Sequence, residues 1–592
     1  MSYYDAIIID SGYSGNRKGI DGRNLTSSCR DDLRDPIDHG TAVVDLILHQ
    51  NPEAKVYVIK LCNTYDDFTE EDLCSALEHI LRENLFCGVI NISLGIQKLR
   101  DYARLKGLLH ALKERNAVTV SAFHPFSISF PAAFEEVIGV DVSEKIKHAD
   151  EYLFNENSGI DLVGTNSYIR MVDGEGHGVL KKGSSFVAAK ISGLLVSFFR
   201  ENPAAEDRLS MARAYLKANA RYTYTFPVIP HNQGKRFVQE TGHAILLPFN
   251  KEIYPIAANE DLLSFSVDAY YDFGISLNKN KRIRELLPYS DNSKVVTAFS
   301  EIRWDEGFDT VICGHCREYE EITGKPFHQE LIRLCKKNGK RLYSFDDFSS
   351  AAEKEHLDDY FCPDLSADMV RREHFNKLYE FGKPVVAVMG TSSVQGKFSV
   401  QLYLRRQLTA AGYKVSNIGT EPTGYLFGFD SVLPMGYGSG LRLTSYEFVN
   451  LLNSAVHEAE EEMPDLLIVG SQSGTVPAYR NNLQFLLFRQ YELLQACDPD
   501  AVILTVNSFD EIGYIRKTIQ FIESGTHAKV IALVVSPLKI SSEGILRARR
   551  EPLAASECPE LLARFRTAFK IPVYLFQYNI EELPQTVIDF FS

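Results

Sequence analysis

The feature that most constrains this chain is an alternation. Short runs rich in Val and Ile recur through the first 200 residues, separated by segments whose apolar residues stand three and four apart. Asp5–Asp10, Lys55–Cys62, Gly88–Leu94, Ala117–Phe123 and Glu136–Ser143 read as strands. GTAVVDLILHQ, EEDLCSALEHILREN and YARLKGLLHALKERN read as amphipathic helices between them. Strands joined by helices pair in parallel and are covered on both faces. An α/β fold is therefore expected before any residue is given a role. A last apolar helix, SSFVAAKISGLLVSFFREN, follows a Gly-rich turn.

The alternation returns twice. Periodicity lapses around Arg221–Gly242, where PVIPHNQGK reads as a linker. Beyond it, HAILLPF, KVVTAFS, FDTVICG and KRLYSFD predict a smaller, Rossmann-like α/β unit. EKEHLDDYFCPDLSADMVRREHFNKLYE reads as a helical connector. KPVVAVMGTSS then opens a third α/β unit, with later strands KVSNIG, DLLIVGSQ, AVILTVNS, KVIALVVS and PVYLFQ. The expected domains are residues 1–220, 241–381 and 382–592, which suits a chain of 592 residues. A formal net charge of −15 argues against a general nucleic-acid or anionic-membrane binder. No apolar run approaches the roughly 20 residues that span a bilayer. The opening MSYYDAIIIDSG has no basic n-region, no apolar h-region and no cleavage site. We therefore expect no signal peptide, no pro-segment, a cytoplasmic location and ten mostly reduced cysteines.

Three polar residues stand where an α/β sheet builds sites, at strand ends and helix starts. Asp10 ends the first strand, His39 opens a helix in DHGTAV, and Ser185 opens another in GSSFVAA. Singly, each has a structural explanation as a cap or a surface group. Together they are the parts of a nucleophile, its base, and the anion that holds the base's tautomer. Their order, Asp then His then Ser, is that of subtilisin.

Residues 1 to about 200 resemble the subtilases. IIIDSG is similar to their aspartate motif, DHGTAV to their histidine motif and GSSFVAAKISG to their serine motif, with Ser184 for the usual Thr and Lys190 near the usual Pro-His. GVINISLG resembles the substrate-lining strand, which implies that Ser93, Leu94 and Gly95 pair with an extended peptide. SFPAAFEEVIGVDV resembles the family's Tyr-Pro-Ala stretch. One departure stands out. The family aims an Asn at the developing oxyanion; here His124 is the nearest counterpart, followed by Pro125 and Phe126. Losing one such donor costs about 10²–10³ in rate. Two alternatives stay open: a protonated or suitably tautomeric His124 donates in its place, or only the Ser185 backbone N–H is left.

A second constellation lies in VVAVMGTSSVQGKFSVQLYLRRQL, which reads as strand, loop and helix. Gly390, Thr391, Ser392, Ser393, Gly396 and Lys397 form a glycine loop with a lysine, of the kind that cradles phosphates. A Ser or Thr for Mg²⁺ usually follows the lysine. Here Phe398 follows, with Ser399 one place later, a rotation of about 100° on a helix. The strand DLLIVGSQ lacks a terminal acid: Gly470 follows Val469, while Asp465 opens the strand rather than closing it. Ser471 and Gln472 are candidates to orient water or phosphate. The loop resembles the dethiobiotin-synthetase-like branch, which runs Gly-Thr-x-x-x-x-Gly-Lys-x-Ser/Thr. With LLPFNKEIYPI and IVGSQSGTVP, residues 241–592 resemble P-loop proteins of bacterial peptide-maturation clusters.

CGHC at Cys313–Cys316 spells a redox tetrapeptide but lacks the expected surroundings, so two buried thiols at a strand end are expected. The combined expectation is a cytoplasmic subtilisin-like serine endopeptidase acting on a ribosomally made precursor peptide. It is fused to a module binding ATP or GTP, with Mg²⁺ carried by the nucleotide and no other metal. Peptide-modifying enzymes of the same pathway and further copies of this chain are the candidate partners. Two rivals stay open: a catalytically weak peptide clamp, and an ATP-dependent ligase or transferase centred on Lys397.

Overall fold

The computed structural model describes residues 3–592, apart from 18, 27–28, 65–66, 126, 205, 226–233, 275–277, 288–289, 364–370, 436–442, 478–487 and 542–548. The linker segment 227–233 and Phe126 thus lie outside the described residues. The chain packs as two units, Met1–Pro230 with Val370–Gly382, and His231–Met369 with Lys383–Ser592.

The first unit is built on one sheet. Its strands are β1 (Tyr3–Asp10), β2 (Asp21–Asn24), β3 (Val56–Lys60), β4 (Phe86–Ile92), β5 (Val118–Ala122), β6 (Val137–Ser143), β7 (Leu153–Glu156), β8 (Leu162–Thr165) and β11 (Tyr222–Thr225). The order across the sheet is β11-β7-β8-β6-β5-β4-β1-β3-β2. All neighbours are parallel except β7 and β8. The sequence located β1 and β3–β6. It missed β2, β7, β8 and β11, each four residues long and too short for a clear period-2 signal. β9 (Ile169–Val172) and β10 (Gly178–Lys181) form a separate hairpin.

The central strands are buried on both faces, and Ile7, Ile8 and Ile9 have no exposed surface. Each such side chain contributes about 1.5–3 kcal/mol by leaving water. Helices α1 (His39–Gln50), α2 (Glu70–Arg82), α3 (Tyr102–Glu114), α4 (Ser184–Glu201) and α5 (Arg208–Asn219) surround the sheet. Val43, Ile47, Ile191 and Leu195 of α1 and α4 share one core with Ile8, Val89 and Val120.

The charged connector is not a continuous helix. Its described part holds a short strand at Tyr360–Phe361 and a single helical turn at Arg372–His374. Residues 371–382 return to the first unit. Gly159 N–H donates to the Phe375 carbonyl at 3.0 Å, Tyr379 stacks on Phe130, and Lys377 Nζ donates to the Ala133 carbonyl.

The second unit carries two parallel sheets. One contains β12 (His243–Leu247), β13 (Ser266–Asp272), β14 (Val296–Ala298), β15 (Thr310–Cys313), β16 (Arg341–Ser344) and β17 (Tyr360–Phe361), ordered β14-β13-β12-β15-β16-β17. The other contains β18 (Val385–Gly390), β19 (Val415–Gly419), β20 (Ser431–Val432), β21 (Leu466–Gly470), β22 (Ala501–Asn507), β23 (Lys529–Ser536) and β26 (Val573–Leu575), ordered β20-β19-β21-β18-β22-β23-β26. β24 (Leu538–Ser541) and β25 (Arg549–Pro552) pair as an antiparallel hairpin. The segments expected as separate domains share a core: Phe249, Tyr343 and Phe345 cluster with Phe398, Phe427 and Phe429.

The protein is thus a multidomain α/β structure with several parallel sheets. Among the described residues no helix is long and apolar enough to cross a membrane. The ten cysteines are free thiols.

Candidate active site and phosphate loop

Asp10 ends β1 and is fully buried. His39 is the first residue of α1 and is 6% exposed. Its Nδ1 lies 2.8 Å from Asp10 Oδ1. Gly40 makes this approach feasible, since a Cβ there would meet the Gly12 carbonyl oxygen at 2.4 Å. The pair is framed by groups that the sequence did not single out. Asp10 Oδ1 also accepts the Ser11 backbone N–H at 2.7 Å. Ser11 Oγ accepts the Gly40 N–H at 3.0 Å and donates to Asp35 Oδ1 at 2.8 Å. Asp35 Oδ2 holds the first turn of α1 by accepting both Thr41 N–H and Thr41 Oγ1 at 2.7 Å. Asp35 carried no visible signal, because an acid in a polar loop looks like a solvated turn.

Burial disfavours the His39 imidazolium, but the charge and hydrogen bond of Asp10, with Asp35 further off, outweigh it and raise its pKa above the ordinary value. Lys181 opposes them, and its Nζ is tied to the Asp38 carbonyl at 2.6 Å.

Ser185 is the second residue of α4 and is partly exposed. Gly183 caps the helix with φ of 140°, a conformation that L side chains rarely adopt. Two features locate the serine. The His39 ring packs on Phe186, the next residue, with centroids 5.2 Å apart. Ser184 Oγ donates to the Phe123 carbonyl at 2.6 Å, which ties the end of β5, and hence His124, to the start of α4. Ser185 Oγ itself donates to the Ser93 carbonyl at 3.3 Å. Asp10, His39, Ser185, Ser93 and His124 are therefore brought to one place from five segments.

His124 Nδ1 accepts from Gln97 Nε2 at 3.1 Å, so in the neutral ring the proton sits on Nε2. Leu94 and Gly95 take no backbone partner among the described residues, whereas the following Ile96 bridges Phe130 in both directions. A short unpaired edge thus runs beside Ser185. Lys190 pairs with Asp150 and the Ala149 carbonyl, so it is a surface tether.

In the second unit, β18 ends at Gly390 and the helix Lys397–Ala410 starts after Gly396. Five residues separate these glycines, one more than in the common phosphate loop. Val394 adopts φ of 59° and is exposed, a strained conformation for a β-branched residue. The loop is braced from inside. Gln395 Oε1 accepts the N–H groups of Thr391 and Ser392 at 3.1 Å each. Thr391 Oγ1 donates to Asp510 Oδ2 at 2.5 Å, and Asn507 Nδ2 donates to Ser392 Oγ at 3.0 Å. Ser393 is exposed.

Lys397 Nζ donates to the Ser392 carbonyl at 2.7 Å, folding over the loop. The backbone N–H groups of Gly396 and Phe398 take no partner among the described residues, and they stand at the positive end of a 14-residue helix. These features fit a phosphate group. The Phe398 side chain does not belong to such a site: it packs on Phe427 and Phe429 with centroids 5.7 and 5.5 Å away, leaving only its N–H for a ligand. Ser399 is partly exposed. Glu421, beyond β19, lies within electrostatic range of Lys397, and burial raises its pKa. No motif marks this acid in the sequence, since it follows β19 and not the strand where a phosphate loop's second acid usually stands. Among the described residues no group of three or more His, Cys, Asp or Glu could hold a metal ion.

Comparison with known proteins bears first on the stretch that carries the glycine loop. Residues 372–573 match the family described as a domain of unknown function, the DUF1611 C-terminal P-loop domain. The chain therefore carries a DUF1611 P-loop domain toward its C-terminus. No curated protein matches the chain. Among solved structures, a DUF1611 family protein from Anabaena variabilis is 12% identical with a TM-score of 0.44, covering 59% of this chain and 100% of that one. The epidermin leader peptide processing serine protease of Staphylococcus aureus is 16% identical with a TM-score of 0.31, covering 36% of this chain and 68% of that one. A cold adapted subtilisin-like serine proteinase is 15% identical with a TM-score of 0.30, covering 37% and 85%.

Proposed function

We propose that the first unit is a serine endopeptidase acting on an extended peptide. The observation that carries this reading is the Asp10–His39 contact of 2.8 Å beside the helix start bearing Ser185. Ser185 Oγ releases the Ser93 carbonyl and turns to His39. His39 Nε2 takes the hydroxyl proton as Oγ attacks the scissile carbonyl. Asp10 holds the Nδ1 proton and stabilises the imidazolium that forms. The oxyanion meets the Ser185 N–H and His124 Nε2–H. The imidazolium then protonates the leaving amine, and water repeats the sequence to free Ser185. Leu94 and Gly95 hold the substrate as an added strand.

We place the substrate among ribosomally made precursor peptides, on the strength of the sequence resemblance of the second half to peptide-maturation P-loop proteins. In this reading Gly390–Ser399 binds ATP or GTP, whose phosphates carry Mg²⁺, and the protein works in the cytoplasm alongside peptide-modifying enzymes.

The Ser185–Ser93 hydrogen bond favours a second reading, in which the serine braces a peptide-binding edge and does no chemistry. A fluorophosphonate separates the two. Labelling of Ser185, lost in Ser185→Ala, supports the peptidase; an unlabelled protein that still binds extended peptides supports the clamp. Precursor peptides incubated with both proteins, with products read by mass, test the substrate class.

A further inference from the structure

The second unit holds a His–Asp pair that no step above uses. His315 stands between Cys313 and Cys316, and its Nδ1 lies 2.7 Å from Asp346 Oδ1. The Asp346 side chain is 2% exposed and that of His315 19%. Asp346 Oδ2 accepts the backbone N–H groups of Cys316 at 2.8 Å and Arg317 at 3.2 Å, which fixes the carboxylate. The neighbouring thiols are buried, and the hydrogen bond with Cys313, followed by burial, raises the Cys316 pKa, so the tetrapeptide presents an imidazole rather than a reactive thiolate.

The pair sits at the carboxyl ends of β15 and β16, and a direct contact joins this end of β16 to the segment that follows β19. Tyr343, on β16, donates its hydroxyl to the Pro422 carbonyl at 2.8 Å. Pro422 follows Glu421, which feels the charges of Lys397, Glu252 and His315. Tyr343 and Phe345 share a core with Phe398, the residue after Lys397. The carboxyl ends of the two parallel sheets therefore meet around Glu421, where open α/β sheets take ligands. Glu252 and His315 flank it from one sheet, Lys397 and Gln472 from the other, and Lys251 acts on His315.

We propose that this junction of the two sheets is a second reacting centre, in which His315 is the general base for phosphoryl transfer from a nucleoside triphosphate on the glycine loop to a hydroxyl of a small polar acceptor. The proposal rests on the phosphate reading of that loop. Asp346 is a positioning residue that commits Nδ1 and leaves Nε2 to exchange the proton. His315 Nε2 takes the acceptor proton as the acceptor oxygen bonds to the terminal phosphorus. The bond from that phosphorus to the bridging oxygen breaks, and the nucleoside diphosphate leaves with the electron pair. Lys397 offsets the charge, and His315 passes the proton to solvent. Water is the simplest acceptor. The groups setting the His315 titration are Asp346, Glu252, Lys251 and Glu421. Burial pulls the imidazole pKa down, but Asp346 and Glu252 outweigh that and raise it.

The test uses full-length protein carrying Ser185→Ala, so that peptidolysis does not interfere. ATP and GTP are added separately with Mg²⁺, binding is measured by calorimetry and turnover by phosphate release. We expect His315→Gln to keep Kd within about twofold and to lower phosphate release by about 10²–10⁴-fold, with loss of the acid limb of the pH profile. Asp346→Asn should move that limb to lower pH. In protein with ¹³C-labelled histidine, the His315 resonance should shift on nucleotide addition, a readout independent of turnover and of any folding defect in the variants. Failure of both nucleotides to bind sinks the loop reading and the proposal together. Binding without release by the parent protein, full release by His315→Gln, or an unmoved His315 resonance overturns the role of His315 alone.

Discussion

The two units each hold an imidazole by Nδ1 against a buried carboxylate, at 2.8 Å for His39 and 2.7 Å for His315. The pairs look alike locally, yet their surroundings differ. His39 opens a 12-residue helix beside Ser185 and is pressed by a second carboxylate, Asp35. His315 lies in a loop, is more exposed, and feels Glu252, with Glu421 and Lys397 nearby. A His–Asp pair thus supplies a base and its tautomer but no reaction. The third group, a hydroxyl nucleophile or a phosphate cradle, selects the chemistry.

Substitutions that break the comparison should fall in a definite order. Ser185→Ala removes the nucleophile and should lower peptide cleavage by about 10⁶-fold, while leaving phosphate release unchanged; assays of both activities on one preparation check this. Asp10→Asn should cost about 10⁴-fold in kcat. It should also move the acid limb of cleavage to lower pH, because Asp10 raises the His39 pKa and the base works neutral. The stability linkage has the opposite sense. A raised folded-state pKa stabilises the protein fully below the unfolded value and less as pH climbs through the folded one, so denaturant titrations should show that slope flatten in Asp10→Asn.

His124→Ala should lower cleavage by about 10²–10³-fold with an unchanged unfolding midpoint, which sharpens its assignment as an oxyanion donor. Phe398→Ser tests the other region. It restores a hydroxyl directly after Lys397, yet should destabilise the second unit by about 3–5 kcal/mol and leave nucleotide affinity unimproved, as unfolding and binding measurements would show. Asp35→Ala removes the acceptor of the Thr41 N–H and Thr41 Oγ1 and should cost about 1.5–3 kcal/mol, read by thermal unfolding.

Local residues announced part of this. Asp10, His39 and Ser185 were legible because each sits in a short motif at a strand end or helix start. Gly390–Lys397 was legible for the same reason. Asp35, Asp346 and Glu421 were not, since a lone acid in a loop has no period and no neighbour in sequence. His315 was hidden inside CGHC, which reads as two buried thiols at a strand end and gives the intervening histidine no role. The 371–382 segment misled because its charges suit a solvated helix; instead Lys377 is buried, its pKa lowered by desolvation to about 7, with its Nζ on the Ala133 carbonyl.

By itself the sequence determined the parallel α/β architecture and the motif residues, because strand and helix periods and turn chemistry act over a few residues. Which side chains meet, which nitrogen of each histidine is committed, and which way each pKa moves were decided only by tertiary structure. Hydrogen bonding, burial and Coulomb interaction depend on neighbours that the fold brings in from far along the chain, as Ser93 comes to Ser185 and Pro422 to Tyr343.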